Sequence, residues 1–204
     1  MMTLAYALFP FRQKDSEHDI AHENFLFTLN IRYPKNFEFE NDIKTALSAW
    51  IYFGGLGSRT RRGCGSLSCD KNPASLSEIL KTAPYITLWR KEANNPLSAW
   101  SYAVRRYRDY RQMRNPGQGN RPGRSKWPEA DSLRQITGRA DYNHRNPITS
   151  PLPSFPRAAL GMPIIFHFIG RDEPKDITVM PSARDSSRMA SPVITKALCD
   201  NGRW

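Results

Sequence analysis

Fourteen residues in the first third of the chain place the strongest limit on its fold. Phe53-Gly-Gly-Leu-Gly-Ser-Arg-Thr-Arg-Arg-Gly-Cys-Gly-Ser66 carries five glycines and three arginines directly after a helical pattern. Glycine in the interior of a helix or strand surrenders the most backbone entropy, so a regular element stops here and a loop begins. Glycine also accepts positive φ and lets backbone N–H groups approach an anion closely, and successive N–H groups in such a turn form an anion nest. Arg59, Arg61 and Arg62 add charge-assisted donors. The segment is not a Walker loop, because it lacks Gly-Lys-Ser/Thr and follows a helix rather than preceding one. It is not a dinucleotide fingerprint, because no strand leads into it. The plainer reading is a flexible loop with incidental arginines.

Charge gives the loop a context. The 204 residues hold 30 Lys and Arg against 19 Asp and Glu, a net charge of +11. Residues 54–63 contribute three arginines and no acid, and residues 101–145 hold 11 bases against 4 acids. Concentrated arginine is the footprint of a polyanion partner, because each neutralised phosphate releases counterions. Arg also grips phosphate with two donors where Lys acts as a point charge. A solvated basic face is the bland alternative. No apolar run is long enough for a membrane helix, and the N-terminal stretch lacks the flanks of a secretory signal. Three cysteines argue against a disulfide scaffold, and a cytoplasmic location is expected.

The order of elements reads as mixed α and β. Residues 25–33 alternate, with Phe25, Phe27, Leu29, Ile31 and Tyr33 on one side, which predicts a half-buried strand, and residues 4–9 predict its partner. Ile43, Leu47, Trp50 and Ile51 mark a helix over 41–53, capped by Asn41 or Asp42 and stopped at Gly54-Gly55. Ser75-Leu-Ser-Glu78 is a capping box that opens a short helix through Lys81. Residues 65–69 and 85–89 read as short strands. Residues 96–113 read as a helix with Leu97, Trp100, Val104 and Tyr107 on a stripe and Arg105, Arg106, Arg108, Arg111 and Arg114 around it. Residues 114–128 form a Pro/Gly-rich loop, and 129–137 a helix ended by Gly138. Residues 163–169 predict a continuously buried strand, and 177–180 and 192–198 two weaker ones.

Two further motifs stand out. In GRSKWPEADSLRQITG, Arg124, Lys126 and Trp127 cluster before a helix and could hold phosphate and stack on a base, while Trp127 could equally be a core plug. Glu129 and Asp131 favour the dipole of that helix. RMASPVITKAL, with Arg188, is a polar turn entering a strand. Other chemistry is thin. His18 and His22 are spaced i, i+4 but lack the glutamate of a zinc-protease helix, and Cys64, Cys69 and Cys199 have no metal spacing, so no metal is expected. His167 reads as a satisfied core histidine. Asp141, His144 and Arg145 lie close together in a basic loop, but His144 has no partner legible in sequence. No nucleophile and base pair up, so no catalytic residue, enzyme activity or cofactor is expected.

Taken together the motifs resemble a known family. FGGLGSRTRRGCGSL looks like the glycine-rich loop of the RAMP superfamily of CRISPR proteins. With GRSKWPEADSLRQITG, FPRAALGMPIIFHF and RMASPVITKAL following in order, the chain resembles the type III-B (Cmr-type) effector subunit at the crRNA 3′ end. The resemblance implies ferredoxin-like (RRM-like) domains and a non-catalytic, RNA-binding role in antiviral defence, with crRNA, target RNA and other effector subunits as partners and no membrane. By position, Gly54, Gly55, Gly57, Gly63 and Gly65 match the loop glycines, and Arg59, Arg61 and Arg62 its basic residues. Arg124, Lys126 and Trp127 match the second motif and Arg188 the third. Cys64 stands where an aromatic residue is common. Family members usually carry an earlier ferredoxin-like domain with an arginine-rich helix and continue past the position of Trp204, so this chain is expected to be an internal or truncated portion.

The expected fold is therefore α+β: a ferredoxin-like RAMP domain, an antiparallel sheet with helices on one face and long polar inserts. The expected division is 1–113 as a core half with the glycine-rich loop at 54–66, 114–157 as a basic insert, and 158–204 as the remaining strands with a truncated C-terminus. Two rivals accompany the RNA-binding reading. One is a RAMP endoribonuclease that processes guide RNA through a histidine such as His144. The other is a basic scaffold with no RNA contact.

Overall fold

The first helix, α1 (Glu40–Phe53), forms where the apolar spacing predicts it and stops where the glycines begin, with the Gly54 N–H closing the last turn onto Trp50 O at 2.8 Å. Its N-cap is Phe39 without a side-chain cap, so neither Asn41 nor Asp42 plays that part. A computed structural model describes residues 6–8, 25–34, 38–120, 122–148, 151–182, 187–199 and 203–204. The chain divides into two units, one of residues 1–105 with 195–204 and one of residues 106–194.

In the first unit, α1 packs Tyr52 against Leu76 and Ile79 of α2 (Leu76–Thr82), with Ala49, Phe53, Leu80 and Leu88 around them. Ser48, fully buried on α1, accepts from Ala74 N at 2.8 Å, which fixes the approach to α2. The capping box of α2 is complete: Ser75 Oγ accepts from Glu78 N, and Glu78 Oε2 accepts from Ser75 N at 2.7 Å. The next helix, α3 (Pro96–Arg111), begins with Pro96 as predicted, and Asn95 Oδ1 accepts from Ser98 N at 2.9 Å in its first turn. Of its predicted stripe, Val104 and Tyr107 are buried, Trp100 is half-buried and Leu97 is exposed.

Residues 25–34 are exposed, have no regular secondary structure and form no ladder among the described residues, so the half-buried strand expected there is not formed. Half of its expected partner, 4–9, falls outside the described residues, and Tyr6 and Ala7 within it are helical. The segments 65–69, 85–89 and 192–198 likewise join no sheet.

The second unit is built on α4 (Glu129–Thr137) and a two-stranded antiparallel sheet of β1 (Ile164–Phe166) and β2 (Ile177–Val179). The register pairs Ile164 with Val179, Ile165 with Thr178 and Phe166 with Ile177. Leu133 of α4 packs on Ile164 and Phe166, a helix on one face of the sheet. The α+β class is thus observed at the scale of a hairpin under a helix. The continuously buried strand predicted over 163–169 is not: Ile164 and Phe166 turn inward, Ile165 and Ile169 outward. His167 follows the same alternation. It is exposed and pairs with Asp176 at 2.7 Å, not a core histidine, because an antiparallel pair leaves one face to water. The Pro/Gly-rich segment after α3 doubles back on itself, with Asn115 N on Arg124 O at 2.8 Å and Lys126 N on Met113 O at 2.9 Å.

Candidate nucleic-acid interface

The glycine-rich segment is a folded loop. Leu56 N donates to Gly65 O at 2.9 Å and closes its base. A 3₁₀ turn over Thr60–Arg62 sits at its centre, held by Arg62 N on Arg59 O at 2.7 Å and Gly63 N on Thr60 O at 2.9 Å. Arg59 enters that turn in the left-handed region at φ 60°, a conformation costing a non-glycine residue about 1–2 kcal/mol. Its side chain makes up for this. Nε donates to Ala7 O at 2.9 Å and Nη2 to Tyr6 O at 3.2 Å, so this guanidinium ties the N-terminal segment to the loop.

Several of the glycines have a packing reason of their own. A Cβ on Gly65 would lie 1.8 Å from Leu56 O, and one on Gly63 would strike the Trp100 indole and Thr195 O. Trp100 Nε1 donates to Arg62 O, and Thr195 N donates to Arg61 O at 3.0 Å, so the turn is pinned by two separate segments. Gly57 differs: its φ is 79° and a Cβ there would meet nothing within 4 Å. Among the described residues, the N–H groups of Gly57, Ser58, Arg59, Thr60 and Arg61 have no acceptor, and the exposed Arg61 guanidinium has no partner. Arg62 is half-buried and its Nη1 reaches back to Arg61 O at 3.1 Å. Consecutive unengaged N–H groups beside a free cation are able to hold an anion.

The other sequence-predicted residues lie in the second unit. Arg124 bonds inward, to Asn146 O at 2.8 Å and to Asp131 Oδ1. Trp127 is half-buried, edge-on to Tyr110 at 5.2 Å, with Nε1 donating to Tyr110 O at 3.0 Å. Lys126 is exposed. Arg188 is exposed beside Met189, which bridges to Met162.

Buried acids organise this unit, and the sequence reading missed them. Glu129 is 0% exposed and accepts from Arg157 N at 2.7 Å and Arg157 Nε at 3.0 Å. Asp131 accepts from Arg124, from Arg134 at 3.0 Å and from Ile148 N at 2.9 Å. Both acids face inward as ion-pair anchors, which corrects the expectation that they merely suit the helix dipole. Glu173, buried in the turn before β2, accepts from Arg134 Nε at 2.8 Å and from His144 Nδ1. Burial pushes its carboxyl up, but the Arg134 and His144 hydrogen bonds hold it below the ordinary glutamate value. His144 therefore has a partner after all. It lines a cavity of about 780 Å³ with Arg134, Gln135, Arg145, Pro147 and Leu152. Much of the arginine in 101–145 thus serves the fold. The Asp131–Arg134 pair at i, i+3 was a signal open to sequence reading; Glu173, 39 residues from Arg134, was not.

Residues 5–68 match the model of the RAMP superfamily.

The matched stretch runs from the N-terminal segment through α1 and ends just past the glycine-rich loop, so the match and the loop geometry bear on the same residues. No curated protein and no solved structure matches the chain. Among the described residues no helix is long and apolar enough to cross a membrane, and no group of three or more His, Cys, Asp or Glu could hold a metal ion.

Proposed function

We propose that this chain is a non-catalytic RNA-binding subunit of a type III-B CRISPR ribonucleoprotein effector, acting in the cytoplasm in antiviral defence. Its partners are crRNA, target RNA and neighbouring effector subunits, it uses no cofactor, and its fold is a ferredoxin-like, RRM-like variant of α+β. The observation that carries this reading is the run of unengaged N–H groups from Gly57 to Arg61 beside the exposed Arg61, in the stretch where the RAMP match falls. Backbone amides hold phosphate oxygens without reading sequence, which suits a subunit that must accept any guide. Arg61 and Arg62 are the side chains best placed to add to them, while Arg59 supports the loop from behind.

The test is binding of single-stranded RNA to the full chain across a salt series, for the wild type, Arg61→Ala and Arg62→Ala. Each lost phosphate contact should lower the slope of log affinity against log salt by about 0.7. An affinity and slope that both variants share with the wild type refute the reading.

One observation favours a second reading, an endoribonuclease processing guide RNA. Glu173 accepts from His144 Nδ1, which leaves Nε2 as the nitrogen available to take a proton from a ribose 2′-hydroxyl. The 2′-oxygen would attack phosphorus and the 5′-oxygen would leave as a hydroxyl after protonation by water. Metal-free cleavage of repeat RNA that is lost in His144→Ala would favour it over the binding role.

A further inference from the structure

We propose that Tyr85 and Trp89 form a base-stacking platform for single-stranded RNA, a second contact surface on the first unit in addition to the glycine-rich loop. The two rings are 85% and 88% exposed, among the most exposed large side chains of the protein. They are held outward by the segment's own anchoring. Ile86 N donates to Ala83 O at 3.0 Å and closes the turn that carries Tyr85. From there exposure alternates, with Ile86 and Leu88 half-buried and Tyr85, Thr87 and Trp89 outward. Leu88 packs against the core of Tyr52, Leu76 and Ile79, so the inward side is fixed to α1 and α2.

The surrounding charge selects the partner. Residues 81–91 include Lys81, Arg90 and Lys91 and no acid. Lys91 Nζ sits 4.5 Å above the ring of Tyr102, which brings a third exposed aromatic and its cation to the end of the segment. This outward face offers Tyr, Thr, Trp and Lys. Flat rings flanked by cations suit a strand of bases and phosphates, because every base has a π-face while the cations follow the backbone. The ligand class rests on the RNA-binding reading above; the surface itself is independent of the loop.

The experiment uses the full chain, a labelled twelve-nucleotide oligouridylate, and an abasic oligomer of equal length and charge. Binding of both is followed by anisotropy across a salt series for the wild type, Tyr85→Ala/Trp89→Ala and Trp89→Phe. Both rings are exposed, so thermal melts of the variants should overlay the wild type. Stacking supplies about tenfold per base, so the double variant should lose about a hundredfold for oligouridylate. Its salt slope and its affinity for the abasic strand should stay unchanged, and Trp89→Phe should keep most of the binding. Wild type that holds both strands equally well overturns the platform and leaves the loop reading standing. A double variant that binds oligouridylate like the wild type assigns the rings to another partner and also overturns it. Wild type that binds neither strand overturns both.

Discussion

Lys196 Nζ donates to Gly54 O at 3.0 Å and also to Ile51 O, so a residue far along the chain caps the helix that delivers the glycine-rich loop. Helix α1 has no basic residue in its last turn, and its final carbonyls would otherwise lack a cationic donor. The cap joins Thr195 N on Arg61 O and Trp100 Nε1 on Arg62 O in holding the loop.

Burial lowers the Lys196 amine from its ordinary 10.5 to about 8. A neutral amine still donates two hydrogen bonds, so both contacts survive deprotonation. Between pH 8 and 10.5 the unfolded chain binds a proton at this site that the folded chain does not, so stability rises with pH across that window and is flat below it. Urea denaturation at pH 7.5 and pH 10 should show the wild type gaining stability relative to Lys196→Met, which lacks the group, by less than the full linkage value because solvent screens the half-buried amine. Equal pH responses in the two proteins would contradict the buried amine.

The Glu129–Arg157 pair offers a sharper stability test. Glu129 is fully buried and both its oxygens are engaged by Arg157. Arg157→Ala leaves that carboxylate with the backbone N–H of residue 157 alone and should cost about 3–5 kcal/mol. Replacing both charges, as in Glu129→Leu/Arg157→Met, removes the uncompensated charge and should cost distinctly less than either single truncation. A double-mutant cycle by chemical denaturation decides, and additive losses would mean the pair is not coupled.

Acid should unlock the second unit through Glu173. Its carboxyl is held below the ordinary value of 4.5, so its contribution is complete above that pH and is lost as pH falls through the lower, folded value. Glu173→Gln keeps the shape and removes the charge that Arg134 and His144 share. It should cost about 1–3 kcal/mol at pH 7 and show a shallower loss of stability below pH 4.5 than the wild type. Parallel acid denaturation curves would argue against the ionised carboxylate.

Local signals were legible in the sequence where a few neighbouring residues decide the structure. The Ser75–Glu78 capping box, Pro96 at the start of α3, the Gly54 stop and the Gly138 cap all act within one turn, and all are found. Signals that depend on a distant partner were not legible. Alternation over 25–33 describes a strand only if another backbone completes it. The same limit hid the Lys196 cap, 142 residues from Gly54, and the Glu173–His144 pair, 29 residues apart. At the candidate site the glycines of 54–66 were conspicuous, but sequence could not separate those that let backbones touch from the one that faces open space.

That separation gives the last prediction. Gly65 and Gly57 both have positive φ, so alanine at either carries a left-handed cost of about 1–2 kcal/mol. At Gly65 the new Cβ would also lie 1.8 Å from Leu56 O, in the backbone that closes the loop's base, and backbone cannot swing aside as a side chain would. Gly65→Ala should therefore cost about 2–5 kcal/mol in all, adding an overpacking penalty of about 1–3 kcal/mol. It should lower the melting temperature and RNA affinity together as the loop opens. Gly57→Ala should cost only the conformational share, lower the melting temperature less than Gly65→Ala does, and affect RNA binding through the neighbouring N–H groups alone. Thermal melts and RNA titrations of the two variants side by side test this ordering, and equal destabilisation by both substitutions would remove the distinction between a glycine that closes the loop and one that keeps its outer face open.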